Sequence, residues 1–138
     1  MILGGVHIPH PVGPAGHSDA DVLCHAIGDA LLGAANLGDL GKHFPDSDKK
    51  FAGVSSLILL KEIARLLRRR RYKISNVDAT LLLEAPKVMP YTEEMKENIA
   101  DALGLEPSQI SIKATTSEKM GFVGRREGIA ALAIALIE

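Results

Sequence analysis

Histidine, aspartate and hydroxyl residues concentrate at three places in this chain. The first is His17-Ser18 together with His25. The second is the stretch Gly38-Asp39-Leu40-Gly41-Lys42-His43-Phe44-Pro45-Asp46-Ser47-Asp48. The third is Thr115-Thr116-Ser117-Glu118, followed by Phe122 and Arg125. Each suits a different task. A neutral imidazole such as His25 is a common zinc ligand, although one histidine alone reads first as a core residue whose ring nitrogens are satisfied by Asp21 and Asp29. Carboxylates set among glycines take hydroxyls or a cation, and the glycines allow a ligand close to the backbone. Hydroxyls, backbone amides, a carboxylate and a guanidinium suit phosphate oxygens and a divalent ion bridging them. Taken alone, the Thr-Thr-Ser run is a hydroxyl-stabilised turn. Lys113 and Lys119 add positive charge beside it.

The global properties exclude several classes. The chain has 138 residues, 46% hydrophobic and 24% charged, which suits a single domain over residues 1–138 with a sizeable core. A formal net charge of −1 gives no general attraction to nucleic acid or to an anionic membrane. Arg68 to Arg71 could contact nucleic acid, but the run lacks interleaved aromatics and reads as cations on a helix C-terminus. The one cysteine, Cys24, forms no intrachain disulfide, which fits a reducing compartment. No apolar run is long enough to span a membrane, and no signal peptide is visible. Neither Walker A, nucleophile-elbow nor dinucleotide fingerprint is present.

The elements that must position the three clusters follow from periodicity. Ile2-Leu3 and Val6 to Ile8 read as a hairpin about a Gly-Gly turn. So short a hairpin needs partners, which leads us to expect residues ahead of Met1. Ser18 is the expected cap of a helix from Ala20 to about Asn36, with Asp21, His25 and Asp29 on one line. A second helix is expected from Ser55 or Ser56 to about Arg71. A strand follows from Ile74 to Glu84, with Ala79, Leu81 and Leu83 on one face. Pro90 suits the first turn of a third helix, about Tyr91 to Leu103, stopped by Gly104. Ile110 to Ala114 and Ile129 to Ile137 are strands, the last apolar enough to be buried on both faces. The predicted class is α+β, an α/β layer pair with a mixed sheet, helices on one face, and the other face packing in a homo-oligomer.

Several spaced motifs together carry a resemblance. They are His17-Ser18-Asp19-Ala20-Asp21-Val22 through His25, Asp29-Ala30-Leu31-Leu32-Gly33-Ala34, Gly38-Asp39-Leu40-Gly41, His43-Phe44-Pro45-Asp46-Ser47-Asp48, Ala85-Pro86-Lys87 and Lys113-Ala114-Thr115-Thr116 with Glu118-Lys119. In this order, over essentially the whole chain, they resemble the 2-C-methyl-D-erythritol 2,4-cyclodiphosphate synthase family of the non-mevalonate isoprenoid pathway. The resemblance implies a lyase that converts 4-diphosphocytidyl-2-C-methyl-D-erythritol 2-phosphate into the cyclic diphosphate and CMP. The substrate's own 2-phosphate attacks the β-phosphorus. It also implies a homotrimer with active sites between subunits, Zn2+ near the reacting phosphates, and Mg2+ or Mn2+ on the diphosphate. The implied compartment is the bacterial cytoplasm or a plastid, with no nucleic-acid or membrane partner.

Residue by residue, His25 resembles a zinc ligand, and His17 and Thr116 resemble groups stabilising the transition state. His17 and Ser18 resemble residues lying along the substrate. Asp39, Leu40 and Gly41 with Phe44, Pro45, Asp46, Ser47 and Asp48 resemble the erythritol loop. Leu83, Glu84, Ala85, Pro86, Lys87, Val88 and Met89 resemble the cytidine pocket. Thr115, Thr116, Ser117 and Glu118 resemble the diphosphate site, with Glu118 on the second metal. Phe122 and Arg125 resemble residues near the substrate or the trimer axis. Two departures stand out. The family's Asp-x-His zinc motif lies on a strand ahead of the position of Met1. Leu132 stands where some members carry an acidic residue near the trimer axis. A rival reading follows from the first departure: a non-catalytic trimeric protein that binds nucleotides or isoprenoid diphosphates without zinc.

Overall fold

The computed structural model describes residues 1–10, 20–51 and 53–138. His17, Ser18 and the expected Ser18 cap lie outside them. Strands β1 (Ile2–Leu3) and β2 (Val6–His7) form the expected antiparallel hairpin. Its turn places Gly4 and Gly5 at φ 57° and 75°, a region that L side chains enter reluctantly. Gly4 is doubly constrained, because a Cβ there would lie 2.7 Å from Met95 Cβ.

Helix α1 runs Val22–Ala34, shorter at its start than the sequence predicts. Ala20 has φ 59° and Asp21 is extended, so helical geometry begins only at Val22. Asp21 is therefore the cap, not a member of a helical Asp-His-Asp line. Its carboxyl accepts from Cys24 N at 3.1 Å and from Gly4 N and Gly5 N at 2.9 and 2.8 Å. One fully buried side chain thus ties the hairpin turn to the start of α1. Beyond the C-cap Ala35, Asn36 at φ 56° terminates the helix, with Asn36 N on Gly33 O and Leu37 N on Leu32 O, a Schellman arrangement built on Asn.

The short helix α2 (Leu40–His43) and helix α3 (Ser56–Arg69, capped by Ser55) follow. Strand β3 (Ile74–Leu82) leads through a 3-10 turn, Met89–Tyr91, into helix α4 (Thr92–Leu103). Pro90 sits in that turn, two residues before the first residue of α4. Gly104, at φ 71°, stops α4 as predicted. Strand β4 (Ile110–Thr115), the four-residue α5 (Gly121–Gly124) and strand β5 (Ala130–Ile137) complete the chain.

The sheet order is β4-β3-β5, with β3 parallel to β4 and antiparallel to β5, which makes it mixed as expected. Val77, Ala79 and Leu81 face a core filled by Leu23, Ile27 and Leu31 of α1, Leu60, Ile63 and Leu67 of α3, and Met95 and Ile99 of α4. Helix α1 lies over β5, whose inward residues are Ala131, Ala133, Ala135 and Ile137; the alanines admit a close helix. The sequence reading expects β5 to pack one face on the helices and the other on a second subunit. Its other face leaves Leu132, Ile134 and Leu136 67%, 76% and 61% exposed. Beside them on the outer face, Asp78 binds Lys113 at 2.9 Å, and this contact holds the Asp78 carboxyl below its ordinary range. Among the described residues no helix is long and apolar enough to cross a membrane.

Burial raises the Asp21 pKa above 3.8, against the opposing pull of its backbone donors. The folded chain therefore holds that proton to higher pH than the unfolded chain does. The stability linked to it is complete below about 3.8 and is lost as pH rises through the folded value. We expect the Asp21 carboxyl carbon to titrate above 3.8 by NMR, and Asp21→Asn to remove that segment of the stability-pH curve. A midpoint at or below 3.8 would contradict this.

Candidate functional site

Two groupings emerge, on different element ends. The first is a cleft of about 140 Å3 lined by His25, Leu40, Gly41, Phe44, Asp46, Phe51 and Leu59. It unites the α1 histidine with the acidic loop, as their polar character suggested. The loop is braced locally. Asp29 accepts from Leu40 N at 2.9 Å, Asp39 caps α2 through Lys42 N at 3.0 Å, and Asp48 accepts from Lys50 N at 3.1 Å. His43 Nε2 lies 2.7 Å from Leu37 O and donates to it. Asp39 and Asp48 thus each commit an oxygen to a turn, while Asp46 faces the cleft. Pro45 and Ser47 flank it in the same loop. Phe44 and Phe51 meet edge to face at 5.1 Å, forming an apolar wall.

His25 Nε2 lies 2.9 Å from the hydroxyl of Ser56, the fully buried first residue of α3. The sequence reading missed this partner, and also Phe51 and Leu59. A serine at the first helical position when Ser55 already caps was the available signal. The core-histidine reading named Asp21 and Asp29; in the structure those carboxyls hold the hairpin turn and Leu40 N.

The second grouping lies at the C-terminal ends of the parallel strands β3 and β4, a usual place for ligands in such sheets. Leu83 N binds Thr115 O at 3.0 Å and brings the 83–89 segment beside the 115–119 turn. Leu83 and Val88 are buried, Glu84, Ala85 and Pro86 are half-buried, and Lys87 and Met89 are exposed. Thr115, Thr116 and Glu118 are exposed. Thr116 Oγ1 accepts from Glu118 N at 3.2 Å, which is the hydroxyl turn the sequence allowed. Glu84 Oε1 accepts from Ser117 N and Lys119 N at 3.3 and 3.0 Å. Lys113, expected to add charge here, is paired with Asp78. Arg125 binds Glu127 in a two-pronged pair at 2.9 and 3.2 Å, and Phe122 is 51% exposed.

The lining of the His25 cleft includes no residue of 83–89 or 115–125. Among the described residues, no three His, Cys, Asp or Glu side chains gather to hold a metal ion. Among the described residues, His25 and Glu118 belong to different groupings, and neither grouping gathers three such donors.

The YgbB family model matches residues 1–138. The chain belongs to the YgbB family. This member is 58% identical over 137 residues to a protein of Alkaliphilus metalliredigens named 2-C-methyl-D-erythritol 2,4-cyclodiphosphate synthase, a match covering 99% of this chain and 86% of that protein. The bifunctional IspDF of Campylobacter jejuni superposes with a TM-score of 0.94 at 42% identity, over 99% of this chain and 37% of that one. IspF of Plasmodium falciparum, solved as a CDP complex, superposes with a TM-score of 0.86 at 34% identity, over 99% of this chain and 82% of that one. The family resemblance read from the sequence motifs is borne out.

Replacing Ser56 by Ala should leave the helix intact, since alanine suits a helix, while changing the ring environment of His25. We expect the His25 imidazole nitrogen shifts to move in S56A and to return towards wild type in S56T. Unchanged shifts in S56A would show that the hydroxyl does not set the ring.

Proposed function

We propose that this YgbB-family member converts 4-diphosphocytidyl-2-C-methyl-D-erythritol 2-phosphate into 2-C-methyl-D-erythritol 2,4-cyclodiphosphate and CMP. The observation that carries the proposal is the near-complete match, at 58% identity, to a relative named for that synthase activity. The geometry is compatible with it. In the ring closure, an oxygen of the 2-phosphate forms a bond to the β-phosphorus. The bond from that phosphorus to the bridging oxygen breaks, and CMP leaves with the electron pair. No protein nucleophile is needed, so the protein's work is positioning and charge stabilisation.

The chain's own side chains divide that work. Asp46 accepts hydrogen bonds from substrate hydroxyls in the cleft, with Asp39 to Gly41 and Phe44 to Asp48 shaping it. Phe44, Phe51, Leu40 and Leu59 shield the substrate from water. Leu83 to Met89 receives the cytidine, in keeping with the CDP held by the Plasmodium relative. Thr116 Oγ1 accepts from Glu118 N, which leaves its own hydrogen to donate to a phosphate oxygen. Thr115, Ser117 and Arg125 add donors around it. His17 and Ser18, outside the described residues, belong to the same proposal, with His17 sharing transition-state stabilisation with Thr116. So do a zinc ion at His25 and a magnesium or manganese ion at Glu118, whose further ligands must come from beyond the described residues. Such ions would neutralise phosphate charge.

The single-domain chain is proposed to act as a homotrimer in the bacterial cytoplasm, with its sites between subunits. The exposed Leu132, Ile134 and Leu136 row supports burial of that face. Separation of the two residue groupings within one chain supports shared sites.

The test is CMP release from the cytidine-linked substrate, followed by phosphorus NMR. We expect release with divalent metal present, and a fall of about 10²–10³-fold in kcat for Thr116→Ala, the usual loss of one positioned donor. Binding of CMP without turnover would favour the non-catalytic reading.

A further inference from the structure

Glu84 makes a set of contacts that nothing in the reaction above requires. It lies two residues beyond the end of β3, at the head of the segment proposed to receive cytidine. One carboxylate oxygen faces three donors of the neighbouring turn: Ser117 N at 3.3 Å, Ser117 Oγ at 3.3 Å and Lys119 N at 3.0 Å. The hydroxyl has one hydrogen and also lies 2.7 Å from Met120 O, so the two amides are the steady donors.

That turn is one the backbone would not choose unaided. Glu118 and Lys119 stand consecutively at φ 55° and 64°, in the left-handed region that L residues enter reluctantly. It is also in close contact with the helix that follows it. A Cβ on Gly124 of α5 would collide with the Lys119 backbone, so the helix sits directly on the turn. A strained conformation persists only where its surroundings over-determine it.

We propose that Glu84 is a positioning residue. Its carboxylate clamps the 115–119 turn into the shape that presents Thr116 to a nucleoside diphosphate, and it locks the cytidine-receiving segment to the diphosphate-receiving turn. The functional half rests on the diphosphate reading of that turn. The clamp needs an acceptor oxygen rather than a charge, because both steady partners are neutral amides. A glutamine in its place supplies a carbonyl oxygen at the same reach. Glu84 therefore acts without touching the reacting atoms.

The experiment compares Glu84→Ala and Glu84→Gln with wild type in two readouts. The first is amide hydrogen exchange at Ser117 and Lys119 in the ligand-free protein. The second is the affinity for CDP against that for cytidine, by calorimetry. Glu84→Ala is expected to speed exchange at both amides by about tenfold or more, in line with losing the oxygen that accepts from both. It should also weaken CDP by a similar factor, and by more than it weakens cytidine. Glu84→Gln should stay close to wild type in both. Exchange in Glu84→Ala equal to wild type would overturn the clamp. A Glu84→Gln protein as impaired as Glu84→Ala would also overturn it, since the charge itself would then be the working feature. Wild-type protein binding CDP no better than cytidine would overturn the diphosphate half, with the exchange data still deciding the clamp.

Discussion

The Asp21 carboxyl is the contact on which the rest of the fold depends. It caps α1 and at the same time accepts from both glycine amides of the β1–β2 turn. Removing one side of such a contact leaves buried donors unsatisfied, which costs about 1–3 kcal/mol per group. The hairpin itself is too short to stand alone. Tied to Asp21 and seated on Met95 of α4, it fixes where α1 begins. The direction of α1 then decides where His25 points, and its alanine-floored bed on β5 decides how deeply it sits.

From that frame the two functional groupings are set by different means. The His25 cleft is made by packing: α1 supplies the imidazole, α3 supplies Ser56, and a loop stiffened by its own aspartates supplies Asp46. The 115–119 turn is made by strand ends. Parallel pairing of β3 with β4 brings Leu83 and Glu84 beside Thr115 to Lys119, and backbone donors converge there. In the proposed reaction the hydroxyl- and amide-rich turn receives the diphosphate and the carboxylate-bearing cleft receives the polyol. No residue of the turn grouping lines the His25 cleft of the same chain. The apolar row on β5 gives a physical reason for copies to associate and bring such groupings together.

Much of this was legible in the sequence because the signals were local. The Gly-Gly hairpin, the Ser55 cap, the Gly104 stop and the alternation along β3 each depend on residues within a few positions. The family motifs located the cleft loop and the hydroxyl turn for the same reason. What the sequence hid was non-local or depended on backbone sign. Asp21 reads as a helical residue until the left-handed Ala20 before it is seen, and its amide partners lie sixteen and seventeen residues away. Ser56 meets His25 across thirty-one residues, and Glu84 meets Ser117 across thirty-three. The apolar run of β5 signalled two faces to be covered, and within one chain only the inner face is.

The central claim is that the cleft and the turn serve one site between neighbouring subunits, and subunit mixing tests it most directly. Asp46→Ala and Thr116→Ala chains would each be measured alone for CMP release, then co-refolded at equal amounts. The account predicts two nearly inactive homo-oligomers and recovery in the mixture towards roughly a quarter of wild-type activity, because random assembly pairs an intact cleft with an intact turn at about that fraction of interfaces. A mixture no more active than its parents, with exchange of chains verified by mass, would contradict it and place both functions within one chain.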